Sequence, residues 1–352
     1  MSANQVDAAV PAGARDALLS RVEVRLRDLL AGERSRWSAI DPRAAVPVEA
    51  VATLVGAGGK RLRPSFCLDG FLAAGGGDAV LEQVAVDAAA ALEVLQAFAL
   101  LHDDVLDDSP LRRGKPTAHE RHAAAHRDAG WAGESRRYGE GVAALAGDLA
   151  HVYASRLVSG LSPAAREIWH ELSIEIMIGQ YLDIRVAAER IADPELSRWI
   201  ALCKSGRYTV HRPLTLGAAI AGRLDLAPAF ERYGAALGEA FQLRDDLIDA
   251  FGDSTVSGKP TRLDFAQQKM TLLVALAIQR DDRISQLLAD RSTGGGAALA
   301  QMITDMDVRG EVERRIDHLV EQAQSAIETA PLDAGWREEL ARVAVQVAYR
   351  QK

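Results

Sequence analysis

The chain has 352 residues, 48% of them hydrophobic, and a formal net charge of −8. That is long enough for one large domain or two average ones around a substantial core. The acidic balance argues against a general nucleic-acid binder, whose phosphate contacts need a basic surface, so any anionic ligand must be held by a local basic patch.

In chain order, the opening MSANQVDAAVPAGARD carries acidic residues early and lacks a basic start before an apolar core, which makes it a poor signal peptide. Residues 1–15 read as a flexible tail, and helical spacing begins near Ala17. GAGGK (Gly56 to Lys60) and AAGGGD (Ala73 to Asp78) mark turns before a long apolar helix from Ala79 to Leu101. Asp87, Glu93 and Gln96 interrupt that helix, so no apolar run reaches the roughly 18 residues of a membrane span. DSPLRRGKP (Asp108 to Pro116) breaks it, and the polar HRDAGWAGESRRYGEG (His126 to Gly141) reads as a surface loop or partly ordered connection. A second apolar helix covers Val142 to Leu157, and further breaks fall at SGLSP, ADPEL, GRLDLAP, GDSTVSGKP and STGGGA.

None of these breaks is a linker, so residues 16–352 are expected to form a single all-α bundle of about a dozen helices. The two cysteines, Cys67 and Cys203, have no partner at metal-ligand spacing and read as buried free thiols, as in a reducing cytoplasm. HERHAAAH (His119 to His126) has helical spacing that could hold a metal but reads more simply as a polar helix face. No nucleophile elbow or dinucleotide-binding glycine loop occurs.

LLHDDVLDD (Leu100 to Asp108) is echoed by FQLRDDLIDAF (Phe241 to Phe251), each an Asp-Asp-x-x-Asp at the end of an apolar helix. Helical geometry stacks Asp103 over Asp107 and Asp245 over Asp249, with Asp104 and Asp246 beside them. Such carboxylates repel one another and oppose the helix dipole unless a cation intervenes. Oxygen-only ligands favour a hard ion, Mg²⁺ by preference, which bridges carboxylates to substrate phosphates. Cations follow a matching plan: Lys60, Arg61 and Arg63 in a Gly-rich turn, Arg112 and Arg113 after the first motif, then Lys204, Lys259 and Lys269.

The order GGKRLRP, DDVLD with RRGKPTAH, GDLAHVYA, GQYLD, CKSGRYT, FQLRDDLID and GKP, from about Gly58 to Lys269, resembles the trans-isoprenyl diphosphate synthases of the polyprenyl synthetase family. The resemblance implies an all-α fold around a deep central cavity, a homodimer, and about three Mg²⁺ ions at the two aspartate motifs. By that resemblance Asp103, Asp104, Asp107, Asp245, Asp246 and Asp249 hold the metals. Arg112, Gln180, Lys204, Gln242, Lys259 and Lys269 contact an allylic diphosphate (dimethylallyl, geranyl or farnesyl). Lys60, Arg63, Gln96 and Arg113 bind isopentenyl diphosphate. Gln96 stands where many members have His, and Lys269 follows Gln268 where members commonly have Gly.

In the family, the fourth and fifth positions before the first motif act as a product ruler, here Ala99 and Phe98. The mixed pair resembles enzymes that form geranylgeranyl diphosphate (C20), with farnesyl diphosphate (C15) the nearest competitor. A class I terpene cyclase shares the first motif but has no use for a second diphosphate pocket and differs at its second metal motif. A regulatory subunit tends to lose one acidic motif, whereas both are present here. Asp108 is left over as a helix-end residue, and the basic C-terminal stretch from Tyr349 to Lys352 resembles tails that fold over isopentenyl diphosphate in some members.

Overall fold

A computed structural model describes residues 11–252, 263–289 and 295–350. Among them the only strands are Leu111–Arg112 (β1) and Lys115–Pro116 (β2), and nearly everything else is helix. The first half contains α1 (Pro11–Ser38), α2 (Val46–Gly56), α3 (Leu62–Ala73), α4 (Ala79–Leu106), α5 (Ala118–Asp128), α6 (Ser135–Leu157) and α7 (Pro163–Glu189). Next come α8 (Pro194–Ala201), a π-helical segment (Leu202–His211), α9 (Arg212–Ile220) and α10 (Ala227–Phe251). The C-terminal part is cut into short pieces, α11 (Leu263–Ala266), α12 (Leu272–Arg280), α13 (Arg283–Ala289) and α14 (Gly295–Asp305), before α15 (Val308–Glu328) and α16 (Ala334–Ala348).

Packing is organised about the two helices that carry the acidic motifs. Asp78 caps α4 by accepting from the amides of Val80 and Leu81. The run Ala88 to Ala91 is fully buried, so small side chains let neighbouring helices come close. Leu92, Leu95 and Leu101 join α4 to a core that includes Val22 and Leu26 of α1 and Tyr153 of α6. Around α10, Phe230, Tyr233, Leu237 and Leu243 pack with Val312 and Ile316 of α15 and Leu340 of α16. By length and composition α4 could cross a membrane, yet 61% of its most apolar window is buried inside the protein.

Two expectations are corrected. The N-terminal helix begins at Pro11 rather than near Ala17, and Arg15 is not part of a tail. Its Nη1 lies 3.4 Å from Asp69 of α3 and 3.0 Å from Glu339 of α16. Polar composition also misread His126 to Gly141. Two helices occupy most of it, and Gly139 serves as a contact: a Cβ there would meet the His119 carbonyl at 2.2 Å, where α5 and α6 touch.

Asp69 is 1% exposed. Burial, with a smaller push from Glu339, outweighs Arg15 and raises its carboxyl to about 7. A carboxyl that holds its proton longer folded than unfolded stabilises the fold at low pH, and that contribution is lost as pH climbs from about 4 to about 7. Asp69→Asn is expected to flatten the decline in unfolding free energy across that window. Urea melts at three pH values measure it, and an unchanged slope would refute the assignment.

Both cysteines are buried, and burial pushes the Cys67 thiol up to about 12 and that of Cys203 to about 11. Neither is a thiolate at neutral pH.

Candidate active site

The C-terminal ends of α4 and α10 face each other across a cavity of about 290 Å³. On the α4 side Asp103 reaches it, with Ala99, Leu100 and Gln96 along the same wall. On the α10 side Asp245, Asp246 and Gln242 line it. Gln180 and Asp183 come from α7, Lys204 and Tyr208 from the π-helical segment, and Asp264 and Lys269 from the chain after α10. One aspartate of the first motif and two of the second thus line one space.

Each carboxylate of the first motif is held by a cation. Lys204 Nζ lies 3.1 Å from Asp103 Oδ1 and 2.7 Å from Asp183 Oδ2. Arg112 donates through Nε to Asp104 at 2.7 Å and through Nη2 to Asp103 at 3.2 Å. Lys269 Nζ lies 2.6 Å from Asp107. Burial works to raise the Asp103 carboxyl, but Lys204, Lys269 and Arg112 outweigh it and hold it below its usual range. Asp104 is 2% exposed and turned under Arg112, outside the cavity lining. It is placed to fix the arginine.

The second motif is less well compensated. Asp246 is 5% exposed, and burial, then Asp264, pushes its carboxyl well above the usual range despite a hydrogen bond from Gln242 at 2.8 Å. Burial and Asp249 raise Asp264 to about 7. Asp249 accepts the Asp264 amide at 3.0 Å, so it anchors the returning chain. Asp245 is half exposed and lies 2.6 Å from Arg350, whose guanidinium stacks 3.9 Å over Phe241. The basic C-terminus therefore reaches the second acidic motif as far as it is described.

A divalent cation fits these donors. The cluster's acidic donors are all oxygen, and two of its carboxyls are raised by burial and then by a neighbouring carboxylate, Asp246 by Asp264 and Asp264 by Asp249. Asp103 Oδ1 is buried and makes no aligned hydrogen bond, since Lys204 approaches it as a bare ion pair. Among the described residues, no three His, Cys, Asp or Glu side chains converge on one point.

Adjacent arginines are separated by a tight hairpin. β1 pairs with β2 through Arg112 and Lys115, leaving a two-residue turn in which Arg113 (φ 52°) and Gly114 (φ 73°) are both left-handed. Such a turn matches the twist of the strands it joins. It sends Arg112 to the first acidic motif and Arg113 to the carbonyl of Gly58 in the Gly-rich turn. Arg63 lines the cavity with its guanidinium 4.3 Å over the Tyr208 ring, and its Nε has no partner. Gln180 Nε2 is likewise buried without an acceptor. Lys60 is exposed and lines a neighbouring cavity with Arg15 and Arg350. Lys259 lies outside the described residues.

Sequence reasoning missed Asp183, Asp264 and Gln267. Asp183 closes the quoted GQYLD, but a single acid on a mixed helix carries no signal alone. Gln267 Nε2 donates to the Asp107 carbonyl at 3.2 Å and to Ser109 at 3.0 Å, tying the returning chain to the first motif. The position where family members commonly have Gly keeps a left-handed backbone in Gln268 (φ 57°), which costs about 1 kcal/mol but leaves Lys269 in place. Asp108 is left-handed too (φ 50°), just past the end of α4.

The polyprenyl synthetase family model matches residues 46–306. The chain belongs to the polyprenyl synthetase family. It is 32% identical over 338 residues, 92% of this chain and 96% of the relative, to a short chain isoprenyl diphosphate synthase of Methanothermobacter thermautotrophicus. It is 30% identical to a geranylfarnesyl diphosphate synthase of Aeropyrum pernix, covering 79% of this chain and 86% of that one. Among solved structures, geranylgeranyl pyrophosphate synthase from Corynebacterium glutamicum, complexed with isoprenyl diphosphate and magnesium, aligns with a TM-score of 0.88 at 35% identity. That alignment covers 95% of this chain and 99% of the other. Family membership makes this polyprenyl synthetase a prenyltransferase of all-α fold. The cyclase reading falls with it.

Proposed function

We propose that this polyprenyl synthetase condenses isopentenyl diphosphate with an allylic diphosphate, with Mg²⁺, to give geranylgeranyl diphosphate (C20). The observation that carries the reading is one cavity lined by aspartates of both acidic motifs and also by Arg63 and Gln96. Asp103 with Lys204, and Asp245 with Asp246, line it, while Arg63 and Gln96 face the same space without a carboxylate partner among the described residues. One diphosphate with its ions belongs between the acidic walls; a second, metal-free diphosphate belongs at the basic corner.

Asp103, Asp107, Asp245 and Asp246 would hold Mg²⁺, which when bound supplies positive charge to the departing pyrophosphate. Lys204, Lys269 and Arg112 turn from the carboxylates to the allylic diphosphate once ions take their place, and Gln180 donates its free amide. Arg63 and Gln96 fix isopentenyl diphosphate with its double bond over the allylic carbon. The allylic C–O bond breaks and its electron pair leaves on pyrophosphate. A new carbon–carbon bond forms from the double bond, and the proton then lost passes to the pyrophosphate, so no protein base is needed. Charge developing on the leaving group is met by cations already in place.

Ala99 faces the cavity one helical turn from Asp103, which fits a chain that extends past it. On α7, Ile174, Met177, Ile178 and Tyr181 are exposed at helical spacing, and Leu145 and Val152 are exposed on α6. This apolar face fits a second copy of the chain.

Incubating the pure protein with Mg²⁺, isopentenyl diphosphate and each of the dimethylallyl, geranyl and farnesyl primers tests the reading. The expected result is geranylgeranyl diphosphate from a species that sediments as a dimer, with turnover abolished by chelation and restored by Mg²⁺. Farnesyl diphosphate as the end product would correct the length, and hydrocarbon release without isopentenyl consumption would overturn the function.

A further inference from the structure

Arg61 and Arg63 stand two residues apart after the Gly-rich turn and are held in different ways. Arg61 is pinned by carboxylates: it pairs with Glu23 at 2.6 Å and with Glu93, and donates to the Val55 carbonyl at 3.0 Å. Its charge is neutralised inside the protein. Arg63 has no carboxylate partner among the described residues, lines the cavity, and keeps a buried Nε without an acceptor. What holds it is a ring, since its guanidinium carbon lies 4.3 Å from the Tyr208 centroid.

The ring is itself fixed. Tyr208 is 2% exposed and also lines the cavity, from the same π-helical segment that presents Lys204 to Asp103. Its hydroxyl donates to the carbonyl of Leu92 on α4 at 3.4 Å. Leu92 lies one helical turn before Gln96, so Tyr208 joins one residue of the proposed second diphosphate site to the helix that carries the other. Burial, which outweighs the nearby Arg63, raises the phenol above its ordinary value, so the hydroxyl stays a neutral donor. An aromatic face attracts a cation yet cancels none of its charge. A carboxylate in the same place would compete with an incoming diphosphate; a ring does not.

We propose that Tyr208 is a positioning residue for the metal-free diphosphate: its ring face holds the Arg63 guanidinium in the cavity with its charge intact and its donors left to the ligand. The inference deepens the proposed function and rests on its assignment of Arg63 to isopentenyl diphosphate. Because the arginine is in place before the ligand arrives, less side-chain freedom is lost on binding. The role is confined to one substrate, because Lys204 and Arg112, assigned to the allylic diphosphate, are held by carboxylates instead.

Calorimetry of isopentenyl diphosphate on the intact protein, with steady-state kinetics on both substrates, compares Tyr208→Leu, Tyr208→Phe, Arg63→Ala and the double variant of Arg63→Ala with Tyr208→Leu. Tyr208→Leu is expected to weaken isopentenyl diphosphate binding about tenfold, while KM for a farnesyl primer stays within about threefold. Tyr208→Phe keeps the face, loses only the long hydroxyl contact, and restores affinity to within about threefold of the parent's. In the Arg63→Ala background Tyr208→Leu adds nothing further. Parental isopentenyl diphosphate affinity in Tyr208→Leu overturns the proposal and leaves the proposed function standing. Equal weakening of both substrates, a Tyr208→Phe as weak as Tyr208→Leu, or a further loss in the double variant does the same. Parental affinity in Arg63→Ala removes the assignment on which the proposal rests. Should Tyr208→Leu unfold below the assay temperature, Tyr208→Met, also without a ring and more adaptable in packing, decides in its place.

Discussion

Asp103→Ala is expected to lower kcat by about three orders of magnitude while isopentenyl diphosphate binds within about threefold of its normal affinity. Asp103 is where the first acidic wall meets its cations: Lys204 lies 3.1 Å and Arg112 3.2 Å from its two oxygens. Without it a proposed metal ligand is lost, and Lys204 keeps Asp183, 2.7 Å away. The proposed second diphosphate site uses Arg63 and Gln96, and among the described residues Asp103 pairs with Lys204 and Arg112 instead, so the affinity of that site is expected to be spared. Steady-state kinetics at saturating Mg²⁺, with calorimetry of isopentenyl diphosphate binding, separate the two quantities. Near-normal turnover in Asp103→Ala would sink the metal assignment.

The second large effect comes from a residue with no functional group. A Cβ on Gly238 would meet the backbone carbon and oxygen of Gly206 at 2.6 Å, so α10 and the π-helical segment touch backbone to backbone. No flexible side-chain tip is available to yield. Gly238→Ala must part the two elements, at a cost of about 1–3 kcal/mol in stability. The larger consequence is geometric. Lys204 sits two residues before Gly206, and Asp245 and Asp246 follow Gly238 by two turns on α10. Parting them by about 1 Å moves the cation away from the second acidic wall, and a misplacement of that size costs about a hundredfold in rate. Denaturant melts and kcat measured together are expected to show a modest stability loss with a disproportionate fall in turnover. A variant with parental kcat would show that the close crossing does not position the site.

How far the sequence spoke for itself depended on whether a signal was periodic. Asp103 over Asp107 and Asp245 over Asp249 follow from helical geometry, because stacked carboxylates on an apolar helix have no bland use. The GGKRLRP turn was legible through its glycines. Asp264 was not, since its partners Asp249 and Lys269 are brought to it by a chain return that no local pattern encodes. Arg15 was read as tail because the apolar period starts after it, whereas a buried ion pair with Asp69 and Glu339 extends the helix backwards. Phe98 illustrates a finer limit. Counting residues correctly put it one step deeper than Ala99, but a step along a helix is also a rotation, and the rotation decides which space a side chain serves: Ala99 lines the cavity and Phe98 does not.

The two-residue hairpin after the first acidic motif ties two arginines with different partners to a common register. Arg112 and Arg113 are covalent neighbours with opposite assignments, one to the acidic wall and one to the Gly-rich turn. Backbone direction alternates along a strand, so a single inserted or deleted residue at Arg113-Gly114 would exchange the two faces. The hairpin thus behaves as a clocked junction: length changes are forbidden there even though it is short, partly exposed and remote from the helical core. Under the proposed function, which diphosphate meets metal and which does not follows from the parity of a turn.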